Sequence, residues 1–116
     1  MIYKNCIDAC FDCVKACDRC SDEGSKTSKE CAQGHDITSV CAELCNLVGR
    51  LTSRGLCCAD LYEICAKHCD ACAQKCEKID HEHAKACAIT AKKCAEACRA
   101  CKSDCDKRCA EKKEAC

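Results

Sequence analysis

Five cysteines open the chain at steps of four, three, four and three: Cys6, Cys10, Cys13, Cys17 and Cys20. On an α-helix that spacing puts all five on one face, so the segment reads as a helix with a stripe of sulfur. The pattern recurs twice. Cys58, Cys65 and Cys72 form one row with Cys69 and Cys76 beside it, and Tyr62 stands where a thiol would continue the row. Cys87, Cys94 and Cys101 lie beside Cys98 and Cys105, and Cys109 carries that face on one step off register. A fourth, poorer stretch offers Cys41 and Cys45, with Cys31 two heptads before Cys45 if its helix runs through Gly34. The chain holds 21 cysteines in 116 residues, which is too many for an accident of core filling.

Cysteines in number serve disulfide stapling, nucleophilic or redox catalysis, or thiolate metal binding. Catalysis needs one or two activated thiols in a defined pocket, and 21 near-equivalent thiols provide no such singular group, so no enzymatic activity is expected. Disulfides belong to an oxidising compartment. Met1 is followed within a few residues by Lys4, Asn5, Cys6 and Asp8, with no apolar run long enough for an export signal or a membrane span, so the chain is expected in the cytoplasm with its thiols reduced. The odd cysteine count would also leave one thiol over in a purely disulfide framework. Inert packing is the remaining bland reading, because a protonated Cys behaves as a small hydrophobe. A metal-free interior built this way would be loosely filled and would bury little apolar volume, so metal binding by soft thiolates outweighs it.

Geometry then narrows the ion. Thiols at i and i+4 have Cβ atoms about 5 to 6 Å apart, and a metal–sulfur bond is about 2.3 Å, so two such thiolates can span one ion almost linearly. Structural zinc wants four ligands in a tetrahedron, normally from a turn. The CxxC pairs here (Cys10/Cys13, Cys17/Cys20, Cys69/Cys72, Cys98/Cys101) have helix formers between them, so no knuckle is apparent. Iron–sulfur runs that close on proline are excluded by a proline count of 0. Copper(I) suits many two- or three-coordinate thiolate sites. One monovalent ion per thiolate also leaves the interior near neutral, which bounds the load at about one to two dozen ions if most core thiols take part.

The elements that must position these stripes are helices. Leu, Ile, Val and Phe total 15 residues, so cysteine has to supply the core. With Gly at 4 and Pro absent, breaks fall at Ser21–Ser28, at Ser53-Arg54-Gly55 and at Ile79–His83. The spacing predicts helices over 2–22, 28–52, 56–78 and 82–113, with Asp36 an alternative cap for the second. Four amphipathic segments on short connections predict an all-α fold: an antiparallel up-down-up-down four-helix bundle with a cysteine-lined core, one domain over 1–116. Nineteen basic residues balance 19 acidic ones and aromatics make up 3%, which argues against nucleic acid as a partner. Ile37, Val40, Leu44, Leu47 and Leu51 on the second helix, and Ile7, Phe11 and Val14 on the first, form apolar stripes that pack helices together or join copies of the chain. His81 and His83, in the acidic turn before the last helix, either pass metal inward at one mouth of the bundle or are solvated loop residues. His68 and His35 read as ordinary partly exposed residues.

The stretch HEHAKACAITAKKCAEACRACKSDC, together with KNCIDACFDCVKAC and EICAKHCDACAQKC, resembles the bacterial cytosolic copper storage proteins over nearly the whole chain. That resemblance implies a cysteine-lined bundle that stores many copper(I) ions, assembles as a homotetramer and folds without metal; a copper chaperone is a candidate partner. It implies as ligands the seam cysteines of the first, third and fourth helices with Cys41 and Cys45. This chain departs from the family in having Met1 as its single methionine, so a methionine-lined opening has no counterpart. Cys116 lies on a charged tail, AEKKEAC. The nearest rivals are a zinc or cadmium buffer of metallothionein type, which lacks long helical periodicity, and a thiol redox protein.

Overall fold

Short side chains set the dimensions of this molecule. The computed structural model describes residues 2–27, 35–56 and 58–112, and in it four helices follow one another: α1 (Ile2–Thr27), α2 (His35–Ser53), α3 (Ala59–Glu77) and α4 (Glu82–Lys112). Each consecutive pair is in contact and α4 closes back on α1, which is the ring order of an up-down-up-down bundle. Tyr3 ties the two ends of the chain path together. Its hydroxyl donates to Asp104 Oδ2 (2.5 Å) and accepts from Arg108 Nη2 (2.6 Å), and the Arg108 guanidinium lies 5.0 Å from the ring centroid. The result is a rod of 51 × 21 × 21 Å.

Cysteine is the core, as the composition requires. The buried apolar side chains include sixteen cysteines, eight alanines, Val48, Tyr62 and Ile79. The alanines of α3 and α4 recur in register. Ala59, Ala66 and Ala73 recur every seventh residue on α3, and Ala84, Ala88, Ala91 and Ala95 step by four, three and four on α4, all buried. Side chains this short let the two helix backbones come close, and α3 and α4 share the most extensive seam, while α2 and α3 share the thinnest. On the other side of the bundle α1 meets α2 at Gly49, where an added Cβ would fall 3.0 Å from Phe11 Cζ and 3.3 Å from Cys10 Cβ.

Helix boundaries depart from the spacing in two places. α1 runs on to Thr27 instead of stopping at Asp22. Ser21 does not cap; it is buried and its Oγ bonds Thr38 Oγ1 across to α2 at 2.5 Å, with Ser39 Oγ at 3.4 Å, so its hydroxyl is used between helices and the helix continues. The second helix is described from His35, beside the alternative cap Asp36, and Cys31 lies outside the described residues together with Cys57 and Cys116. α3 begins at Ala59 rather than near Leu56, because Gly55 (φ 78°) ends α2 in a full Schellman turn. Its N–H donates to Thr52 O (2.9 Å) and the Leu56 N–H to Leu51 O (3.2 Å).

Candidate metal centre

The seam cysteines converge on the bundle axis. Cys6, Cys10, Cys13 and Cys17 from α1, Cys41 and Cys45 from α2, Cys65, Cys69, Cys72 and Cys76 from α3, and Cys87, Cys94, Cys98, Cys101 and Cys105 from α4 are all fully buried. Cys20 is buried with 5% exposure. All of these and the half-buried Cys58 are free thiols. The i, i+4 rows hold their sulfurs close along a helix: Cys6–Cys10 at 3.9 Å, Cys13–Cys17 at 3.8 Å and Cys65–Cys69 at 3.9 Å. Contacts between helices are as short. Sγ separations are 3.9 Å for Cys13–Cys41, 3.6 Å for Cys17–Cys87, 3.6 Å for Cys41–Cys69, 3.6 Å for Cys45–Cys94 and 3.7 Å for Cys94–Cys10. A trigonal site with metal–sulfur bonds of about 2.3 Å has sulfurs about 4 Å apart, so sets such as Cys6/Cys10/Cys98, Cys13/Cys17/Cys41, Cys17/Cys72/Cys87 and Cys20/Cys76/Cys87, each mutually within 4.8 Å, hold near-trigonal spacing without metal.

Proton placement in this sulfur network is uneven. S–H groups aimed at a sulfur favour its thiolate form, while burial opposes it. Cys72 is held down to about 5, first by the Cys17 thiol and then by Cys76 and Cys87. Cys98 is held down to about 6 by Cys10 and Cys6. Cys17 is pushed up, chiefly by donating to Cys13, and Cys94 likewise by donating to Cys10, with burial adding to both. Thiols ready to ionise therefore alternate with thiols that hold their protons, and a soft cation entering the tube meets both.

The two ends of the tube differ. At the end where α1 and α4 are tied, Tyr62 is fully buried and its hydroxyl pairs with Thr52 Oγ1 at 2.7 Å, so a phenol ring replaces sulfur there. Beyond it, Cys101 donates to Ile2 O at 3.7 Å, and Cys105 lies 3.6 Å from the Tyr3 hydroxyl. Cys109, which the spacing groups with the α4 stripe, is half-buried and disulfide-bonded. At the opposite end His81 precedes α4 and His83 lies within it; His83 is buried, and their rings stack with centroids 5.4 Å apart. His83 precedes Cys87 by one helical turn and so shares its face. His68 is exposed on α3, as expected.

Which thiols meet across helices could not be read from one-dimensional spacing, although sixteen cysteines are buried along the stripes that spacing marked. The alanine seam was missed altogether, since alanine is the commonest helix former and carries no signal of its own.

A helical tube walled by free, buried, closely spaced thiols defines a thiolate store for soft metal ions. The sequence profile of the copper storage protein family matches residues 2–116. The chain is 37% identical over 89 residues, 72% of its own length and 80% of the other's, to the uncharacterized cysteine-rich protein YhjQ of Bacillus subtilis strain 168. Its fold matches the Cu(I)-bound copper storage protein BsCsp3 with a TM-score of 0.81 at 32% identity, covering 86% of this chain and 97% of that one. It matches apo copper storage protein 3 from Bacillus subtilis with a TM-score of 0.78 at 33% identity, covering 85% and 97%. The Nmul_A1745 protein of Nitrosospira multiformis gives a TM-score of 0.82 at 28% identity, covering 88% and 95%. This chain belongs to the copper storage protein family.

Proposed function

We propose that the chain sequesters many copper(I) ions along the bundle axis, each shared by two or three thiolates of Cys6, Cys10, Cys13, Cys17, Cys20, Cys41, Cys45, Cys58, Cys65, Cys69, Cys72, Cys76, Cys87, Cys94, Cys98, Cys101 and Cys105. The observation that carries this reading is the continuous run of buried sulfurs 3.6–3.9 Å apart between helices. Soft d¹⁰ ions prefer thiolate and accept low coordination numbers, and pairing each thiolate with a monovalent cation removes the cost of burying charge. That a similar solved protein binds Cu(I) supports the oxidation state.

The chain does this work in a reducing cytoplasm, where thiols persist. No helix among the described residues is long and apolar enough to cross a membrane. His81 and His83 mark the end at which copper enters and leaves: His83 shares a helix face with Cys87, which groups with Cys20 and Cys76. A copper chaperone delivers or collects ions there. Val40 and Leu47 on α2, 46% and 41% exposed, belong to a stripe of which Ile37 and Leu44 pack on the core; the outward pair joins copies of the chain in a homotetramer. Storage of this kind involves no catalysis.

The test is titration of the reduced, metal-free protein with Cu(I) against a competing chelator. Uptake of about one ion per core thiol, on the order of a dozen or more per chain, is expected. Saturation at one or two ions defeats the reading.

A further inference from the structure

At the middle of the tube the four helices each contribute one sulfur to a single cluster. Cys13 comes from α1, Cys45 from α2, Cys69 from α3 and Cys94 from α4. All four are fully buried and their Sγ atoms all lie within 4.8 Å of one another. Cys45 sits 3.6 Å from both Cys69 and Cys94. A flat square on sides of that length would need diagonals of about 5 Å, so the set is closer to the tetrahedron in which metal–sulfur bonds of about 2.3 Å put sulfurs about 3.8 Å apart. We propose that Cys13, Cys45, Cys69 and Cys94 form a single high-affinity tetrathiolate site for a divalent cation of the zinc class, joining all four helices at mid-bundle.

The site differs in kind from a zinc knuckle, whose ligands come in pairs from one turn. Here no two ligands share a helix, so one ion would bridge the whole bundle. Binding is ligand exchange without redox change: one divalent ion and four Cys S–H groups give a tetrathiolate complex of net charge two minus, and four protons leave to solvent. That buried charge needs compensation, and the surroundings provide it. Each of the four sulfurs has a further thiol in reach: Cys10 at 3.7 Å from Cys94, Cys17 at 3.8 Å and Cys41 at 3.9 Å from Cys13, Cys41 at 3.6 Å and Cys65 at 3.9 Å from Cys69, and Cys65 at 3.8 Å from Cys45. Those S–H groups can turn toward the thiolates as hydrogen-bond donors, an arrangement that strengthens when the acceptor is charged. Copper(I) does not require a fourth ligand, whereas a zinc-class divalent ion takes four in a tetrahedron. The tetrathiolate site belongs to the copper-free protein, since copper(I) at full load takes the same four thiolates.

Cobalt(II) is the probe, because its visible ligand-field bands and sulfur-to-metal charge transfer report tetrahedral geometry and count thiolates. Full-length reduced protein, titrated anaerobically, should take up one Co(II) per chain with the spectrum of four sulfurs, and one equivalent of zinc should displace it. C13A, C45A, C69A and C94A should each weaken binding by about 100-fold or more, since each removes a ligand and not merely a neighbour. Y62F, a buried substitution outside the cluster, should leave the site intact and serves as the control for lost stability. Circular dichroism of each metal-free variant shows that it is folded, and the wild-type spectrum counts sulfurs without any variant. A spectrum of octahedral cobalt, three or fewer thiolates, several equivalents bound without distinction, or alanine variants no weaker than Y62F overturns the proposal. Failure here beside a full copper titration sinks this site alone; one tetrahedral cobalt beside only one or two coppers sinks storage alone.

Discussion

Cys17 and Cys94 keep their protons in the folded chain while Cys72 and Cys98 give theirs up early, and the two shifts pull stability in opposite directions with pH. The folded pKa of Cys72 lies at about 5 and that of Cys98 at about 6, below the ordinary thiol value of about 8.5. Their contribution is present above that ordinary value and is lost as pH falls toward 5. Cys17 and Cys94 are raised, so theirs is complete below about 8.5 and is lost above it, where the unfolded chain has released protons that the folded chain still holds. The melting temperature of the metal-free, reduced protein should therefore climb from about pH 5 to about pH 8 and fall again by about pH 10; a flat profile contradicts this. Tyr62 provides a second check. Y62F leaves the buried Thr52 hydroxyl without the phenol at 2.7 Å and should cost about 1–2 kcal/mol in chemical denaturation, with copper capacity unchanged.

Between α1 and α2 the close approach at Gly49 can be tested directly. An alanine there gains about 1 kcal/mol of helix propensity, yet its Cβ would press on Phe11 Cζ at 3.0 Å and on the immovable Cys10 Cβ at 3.3 Å. Overpacking costs about 1–3 kcal/mol, so G49A should be net destabilising by about 1 kcal/mol, and G49A combined with F11A should lose less than the two single changes together. Additive losses would show that the two residues do not compete for space. The helices themselves were legible from local signals wherever one residue type dominated. Steps of four and three placed Cys6 to Cys20 on one face, and Ser53-Arg54-Gly55 marked the end of α2 because only a left-handed residue completes that turn. Ser21 misled, because a serine after a periodic run looks like a stop, while its actual partner, Thr38, is seventeen residues away on another helix.

Taken whole, the rod owes its form to helix pairing rather than to metal, and the copper-free protein should stay folded. Far-UV circular dichroism of reduced, metal-free protein should show a predominantly helical chain, and a coil spectrum regained only on adding copper would contradict the alanine-built seam. Copper(I) should then raise the melting temperature by mass action, since ligands that bind only the folded state stabilise it in proportion to the logarithm of their excess; a strong Cu(I) chelator should reverse the gain. The seams are unequal, and this has a mechanical outcome. Alanine has no side-chain rotamers to adjust, so the α3–α4 hairpin is a stiff beam, while the thin α2–α3 border is the compliant wall. On copper loading, backbone amide exchange should slow least along that border and most along the beam.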